Sequence, residues 1–234
     1  DFQMIPITCL PHIRKIVAKL PTKRQTLLFT ATMPPDIRQL ADTILTDAVR
    51  VQVAAKNAAA DTVEQSVYFV EKRNKPTLLK HLMETAAVTR ALVFTRTKHG
   101  ADKVVRALEK SGISAAAIHG NKSQGQRERV LAAFRDGKVR TLVATDIAAR
   151  GIDVDGISHV INFDLHNIPE SYVHRIGRTA RAGADGVAIS FCSSDEAAFL
   201  RDIEKLIRMA IPSTDRRTDF RPAAHHAARH ENSR

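Results

Sequence analysis

Short apolar runs alternate with amphipathic stretches along most of the chain. The runs TLLF (26–29), VRVQV (49–53), VEQSVYFV (63–70), ALVF (91–94), AAAIH (115–119), TLVAT (141–145), HVINF (159–163) and GVAISF (186–191) have the length of strands. Several are apolar at every position, as expected of strands covered on both faces. Between them, segments 34–45, 75–86, 98–111, 123–136, 169–180 and 195–209 place apolar residues at helical spacing. This regular alternation predicts an α/β fold, a parallel sheet with helices on both faces.

The rhythm lapses after Val53, where small and polar residues without a period mark 54–62 as a linker. Beyond it, residues 63–212 form a complete α/β unit of about 150 residues, the usual size of one domain. Residues 1–53 offer only a helix, two strands and a helix, too little for a parallel sheet of their own, and read as the end of an incomplete unit. Its apolar face and sheet edge are therefore expected to lie uncovered. The last segment, 213–234, is polar with almost no bulky apolar group and reads as a disordered basic tail.

Composition narrows the class. With 44% hydrophobic and 26% charged residues among 234, the chain is globular rather than disordered. No apolar run approaches the roughly 20 residues of a membrane span, and the opening DFQMIPITCL lacks the layout of a secretory signal, so a cytoplasmic location without membrane contact is expected. Cys9 and Cys192 are far apart in sequence and support neither a disulfide framework nor a zinc site. The net charge of +11 suits a polyanionic partner, though basic proteins often carry merely solvated Lys and Arg. Its distribution says more: 91–140 holds 11 basic and 4 acidic residues, whereas 141–190 holds 4 and 6.

Three constellations carry chemistry. In HRIGRTAR, Arg175, Arg178 and Arg181 recur every three residues and on a helix would share one face. Such a cluster suits either a solvated surface or concentrated negative charge, and guanidinium forks match phosphate oxygens. In TLVATDIAARGIDVDGI, an apolar strand runs into Thr145 and Asp146, then reaches Arg150, Gly151 and Asp153, the place where open parallel sheets hold ligands. Asp153 and Asp155 fit an acid pair or, beside glycine, simple turn formers. In FTRTK (94–98) and IHGNKSQGQRERVLAAFRDG (118–137), hydroxyl, amide and basic groups gather at a strand end or helix start, where anions are favoured. Arg127, Arg129 and Arg135 are equally compatible with solvated helix charges. The DEAA at 195–198 follows a strand, but Ser193-x-x-Glu196 reads as a capping box opening the last helix.

The ordered set FTRTKHGA, IHGNKSQGQR, ATDIAARGID and YVHRIGRTARAG resembles the C-terminal part of a DEAD-box RNA helicase, most of all the bacterial RhlE group, over residues 20–212. The resemblance implies that 63–212 is a second RecA-like lobe and that 1–53, with TATMPP (30–35), ends the first. It implies that Arg178 and Arg181 are arginine fingers reaching the γ-phosphate of ATP held by the other lobe. By the same resemblance Gly151, Asp153, His174 and Arg175 border the nucleotide. Thr97, Gln124, Arg127 and Thr145 correspond to RNA-backbone contacts, while Thr30, Thr32 and Arg150 correspond to interlobe coupling positions. Two residues depart from the family pattern: Thr30 replaces the usual Ser and keeps its hydroxyl, and Ala180 replaces the usual Gly between the last two arginines.

The chain contains neither GxxxxGKT nor GxxxxGKS, and no DEAD carboxylate pair after a first-lobe strand. ATP phosphates and Mg2+ are therefore expected to be bound mainly by the first lobe, with no metal ligands in this chain and no ATPase activity from it alone. RNA is the expected partner, met through its backbone with little sequence readout, and the 5% aromatic content agrees because base-stacking platforms are few. Two other readings stand beside this one: a non-catalytic basic nucleic-acid-binding module, and a DNA translocase.

Overall fold

The computed structural model describes residues 10–30, 33, 35–51, 63–150, 152–180 and 185–219. Seven parallel strands form one sheet: β1 (Val63–Phe69), β2 (Ala91–Phe94), β3 (Ala115–Ile118), β4 (Thr141–Ala144), β5 (His159–Asn162), β6 (Gly186–Cys192) and β7 (Ser213–Asp215), in the order β3-β4-β2-β5-β6-β1-β7. The helices are α1 (Leu10–Val17), α2 (Pro35–Ile44), α3 (Lys75–Thr85), α4 (Lys98–Glu109), α5 (Gln124–Arg135), α6 (Asp146–Ala149), α7 (Glu170–Ile176) and α8 (Ala197–Ile207).

The apolar runs become central strands because their alternate side chains feed two separate cores. Val93, Val143 and Ile161 pack with Leu78, Leu79 and Leu82 of α3 and with Val104 and Leu108 of α4. Their neighbours Leu92, Phe94, Leu142 and Val160 point the other way, onto Phe134 of α5 and the segment Ala148–Ile157. A third cluster joins Val63, Val67 and Ala188 to Tyr172 and Ile176 of α7 and to Leu200, Ile203 and Ile207 of α8. A period of two on strands flanked by helices produces this arrangement, and the fold class expected from the pattern is the one observed.

Helix starts follow local chemistry. The Thr97 hydroxyl accepts from the Gly100 amide and caps α4. Ser123 and Gln126 form a reciprocal capping box on α5, and Ser193 and Glu196 do so before α8, as expected for the DEAA segment. Because all strands are parallel, the loops after β2, β3, β4, β5 and β6 gather at one edge of the sheet.

Four expectations change. TLLF (26–29) is not a strand, and the described part of VRVQV has no ladder either. Leu27, Phe29, Val49 and Val51 are exposed, since an apolar run becomes a strand only where a neighbour completes its backbone hydrogen bonds. The helix expected over 169–180 stops at Ile176, where Gly177 caps it and the chain turns through Ala180 at φ 53. The tail does not begin at 213: Ser213–Asp215 extends the sheet, pairing Val67 with Ser213 and Phe69 with Asp215. The linker 54–62 and the tail beyond 219 lie outside the described residues.

Candidate functional site

At the strand-end edge, β4 runs into Thr145 and then Asp146, the first residue of α6. Asp146 receives both arms of the Arg175 guanidinium, Nε to Oδ1 at 2.6 Å and Nη2 to Oδ2 at 2.7 Å. Arg175 is only 2% exposed. Its remaining nitrogen, Nη1, donates to the Asp164 carbonyl at 2.7 Å and to Asn162 Oδ1 at 3.3 Å, and the guanidinium lies over the Phe94 ring at 5.0 Å. One arginine thus ties together the ends of β2, β4 and β5. Burial alone would raise the Asp146 pKa, but the hydrogen bonds and charge of Arg175 more than offset it and hold the carboxyl below its usual range.

Arg175 and Arg178 do not share a helix face. Arg175 points inward from the last turn of α7, whereas Arg178 lies beyond the helix end, half-buried, with Nη1 donating to the Ile152 carbonyl at 3.1 Å. A shallow cleft runs between α6 and α7, lined by Asp146, Arg150, Ser171, His174 and Arg178. His174 Nε2 is buried there without a hydrogen-bond partner among the described residues. Burial lowers the His174 pKa, and the cations Arg178 and Arg150 lower it further, against the opposing charges of Glu170 and Asp146.

Asp153 follows Ile152 on the exposed side of this loop, and its carbonyl accepts from Arg135 Nη2 at 3.3 Å. Asp155 precedes Gly156, whose φ of 72 marks a left-handed turn, and the Asp155 carbonyl accepts from Arg90 at 2.6 Å. Among the described residues no three His, Cys, Asp or Glu side chains form a metal-holding group. Gly151, Arg181 and Thr32 lie outside the described residues. Thr30 is exposed, and Arg150 is half-buried beside the cleft.

The other candidate set sits on the loops of three adjacent strands, β3, β4 and β2. Thr97 caps α4, and its hydroxyl still has a proton to donate. Gln124 opens α5 on the exposed side, held by Glu128 at 2.9 Å. Thr145 lies between them, its amide bonded to the Ile118 carbonyl at 3.4 Å. Arg127 reaches the Ala148 carbonyl at 3.5 Å and Arg135 reaches Asp153, whereas among the described residues Arg129 bonds only within its own helix, to Gly125. Of these three arginines, two link α5 to the 146–155 segment.

Sequence reasoning missed the partners that organise these groups. Asp146 reads from sequence only as an acid in the first turn of a helix, while Asn162 and Phe94 read as strand residues. Glu196 shows its capping box, yet also lies buried against Lys75, with Nζ to Oε2 at 2.5 Å, and accepts from Arg96 at 3.0 Å. His119 is held by Asp102 at 3.0 Å and accepts from the Asn121 amide at Nδ1, bracing the loop before Gln124. The signal was an IHG run at a strand end.

Residues 74–183 match the helicase conserved C-terminal domain. The chain is 44% identical over 205 residues to the ATP-dependent RNA helicase RhlB of Pseudomonas syringae pv. tomato, covering 87% of this chain and 52% of that protein. It is 42% identical over 218 residues to the DEAD-box ATP-dependent RNA helicase CshA of Geobacillus kaustophilus, covering 91% of this chain and 47% of that protein. Among solved structures, S. cerevisiae Dbp5 bound to RNA and ADP BeF3 aligns with a TM-score of 0.78 at 29% identity, over 92% of this chain and 56% of that one. The chain spans about half the length of the curated relatives it matches. These likenesses are to RhlB and CshA proteins; they do not single out the RhlE group.

Proposed function

Because this chain belongs to the DEAD-box RNA helicases, we propose that it is the C-terminal lobe of an ATP-dependent enzyme that remodels RNA, delivering Arg178 to ATP held by a first lobe. The observation that carries this reading is the division of labour between the arginines. Arg175 is locked inside by Asp146, while Arg178 stands half-buried at the mouth of the cleft beside Ile152. A guanidinium so held is preorganised to meet charge arriving from another surface, without reorganising at the moment of reaction.

In this reading Arg178, with Arg181, stabilises the transferring γ-phosphoryl group, a contribution of about 10³–10⁵ in rate. Asp153, Gly151 and His174 border the nucleotide, and Arg175 orders that border from behind rather than touching phosphate. Thr97, Gln124, Arg127 and Thr145 receive the RNA backbone, and Thr30, Thr32 and Arg150 couple the lobes. The phosphate-binding loop and the acids that hold Mg2+ come from the first lobe, since the chain has no GxxxxGKT or GxxxxGKS. Closure of the two lobes on ATP and RNA would assemble the site, and hydrolysis would release it.

The test compares this chain alone with the two-lobed protein. The chain alone is expected to hydrolyse no ATP and to bind RNA weakly and with strong salt dependence; the two-lobed protein is expected to show RNA-stimulated hydrolysis. RNA-stimulated turnover by the chain alone would sink the proposal. So would RNA binding by the two-lobed protein that ATP analogues leave unchanged, which would favour a non-catalytic binding module.

A further inference from the structure

We propose that Thr179 is the positioning residue for Arg178, an inference that rests on the functional reading above. After α7 the chain winds through three successive turns, with Gly177 N donating to Val173 O, Arg178 N to Arg175 O and Thr179 N to Ile176 O. The next side chain is buried: Thr179 is 3% exposed, and its hydroxyl donates to the Ile157 carbonyl at 2.5 Å.

That carbonyl belongs to the rigid entrance of the sheet. Ser158, beside it, accepts from the Thr89 and Arg90 amides through its hydroxyl, donates its own amide to Arg90, and receives the Val187 amide on its carbonyl. The Thr179 hydroxyl therefore fastens the turn to a point fixed by β2, β5 and β6 together.

Two neighbouring residues accommodate the turn that this hydroxyl fastens. Gly186 opens β6 in a buried position, where a Cβ would lie 2.5 Å from Thr179 Oγ1, 2.7 Å from Thr179 Cγ2 and 2.6 Å from the Ala180 nitrogen. A glycine in a strand is unfavourable, and here it leaves the space that the turn occupies. Ala180 sits at φ 53, a conformation an alanine adopts at a cost. The arginine is thus pinned from both sides, by the Thr179 hydroxyl one residue along the backbone and by Ile152 at the guanidinium tip.

The experiment measures single-turnover ATP hydrolysis by the two-lobed protein at saturating ATP and RNA, with the RNA concentration dependence and the melting temperature of each variant. Each rate is taken well below that variant's melting transition. Thr179→Val keeps the shape and removes the hydroxyl; it is expected to slow hydrolysis on the order of 10–100-fold while the RNA KM stays within twofold. Thr179→Ser keeps the hydroxyl and should restore the rate to within about threefold. In an Arg178→Ala background, Thr179→Val should cost nothing further, because its effect passes through that arginine. Thr179→Ala, which removes the hydroxyl and leaves a smaller side chain, should slow hydrolysis in the same manner and serves if Thr179→Val does not fold.

A lower melting temperature with an unchanged rate would make Thr179 a stability residue only and overturn the proposal. Equal defects in Thr179→Val and Thr179→Ser, or full additivity with Arg178→Ala, would do the same. If Arg178→Ala itself hydrolyses ATP at the parent rate, the functional reading fails instead, a separate outcome.

Discussion

Replacing Asp146 by Asn tests the buried pair at the centre of the site. The change keeps the size of the side chain but removes the charge that faces Arg175. In the parent, two charge-assisted hydrogen bonds of 2.6 and 2.7 Å neutralise a guanidinium that is 2% exposed. Removing one partner of a buried pair costs about 3–5 kcal/mol. Asn still offers one acceptor, and the Asp146 side chain is 22% exposed, so the cost falls at or just under the bottom of that range, about 2–3 kcal/mol. At roughly 2–4 °C per kcal/mol for a domain of this size, the melting temperature should fall by about 5–10 °C. Acid provides an internal control. Burial works to raise the Asp146 pKa, but Arg175 holds it below the usual value, so the stabilisation is complete above the ordinary range near pH 4 and is lost as pH falls through the folded-state pKa. Calorimetric melts of both proteins should therefore show a constant gap from pH 8 to pH 5 that narrows below about pH 4. A gap under 2 °C at pH 7, or one that widens in acid, would refute the reasoning.

Two further predictions concern other parts of the lobe. Lys75→Met leaves the 3% exposed Glu196 carboxyl facing Arg96, Ser193 and the Leu165 amide without its closest cation, and should lower the melting temperature by about 6–12 °C; unchanged melts would contradict this. Arg127→Ala should weaken RNA binding and reduce its salt slope by about one unit, while Arg129→Ala, whose guanidinium bonds within its own helix to Gly125, should change the affinity less; equal losses in a fluorescence-anisotropy titration would contradict the division.

The parallel α/β core was legible because periodicity suffices where both faces of a strand are covered: Leu92, Val93 and Phe94 are apolar in sequence, and each finds a core. The same logic misread TLLF, since an apolar run carries no record of whether a strand will pair beside it. Helix length near the site was overestimated because the spacing of Arg175 and Arg178 is helical while the backbone between them is not: Gly177 ends α7, and the turn then follows the Thr179 hydroxyl to Ile157. Contacts between residues far apart in sequence, such as Asp146 with Arg175 or Lys75 with Glu196, leave no periodic trace. They follow from strand order, which places the loops after β4, β2 and β5 side by side, and those after β6 and β1 beside each other. The bulk charge pointed toward the 91–140 segment, whereas the arginines placed at the cleft lie in a segment with more acids than bases.

The central claim is that this lobe supplies Arg178 to ATP bound elsewhere. The measurement that reaches it most directly is the single-turnover hydrolysis rate of the two-lobed protein with Arg178→Ala, at saturating ATP and RNA. The account predicts a loss of about 10³-fold with RNA affinity retained. A rate within twofold of the parent would contradict it.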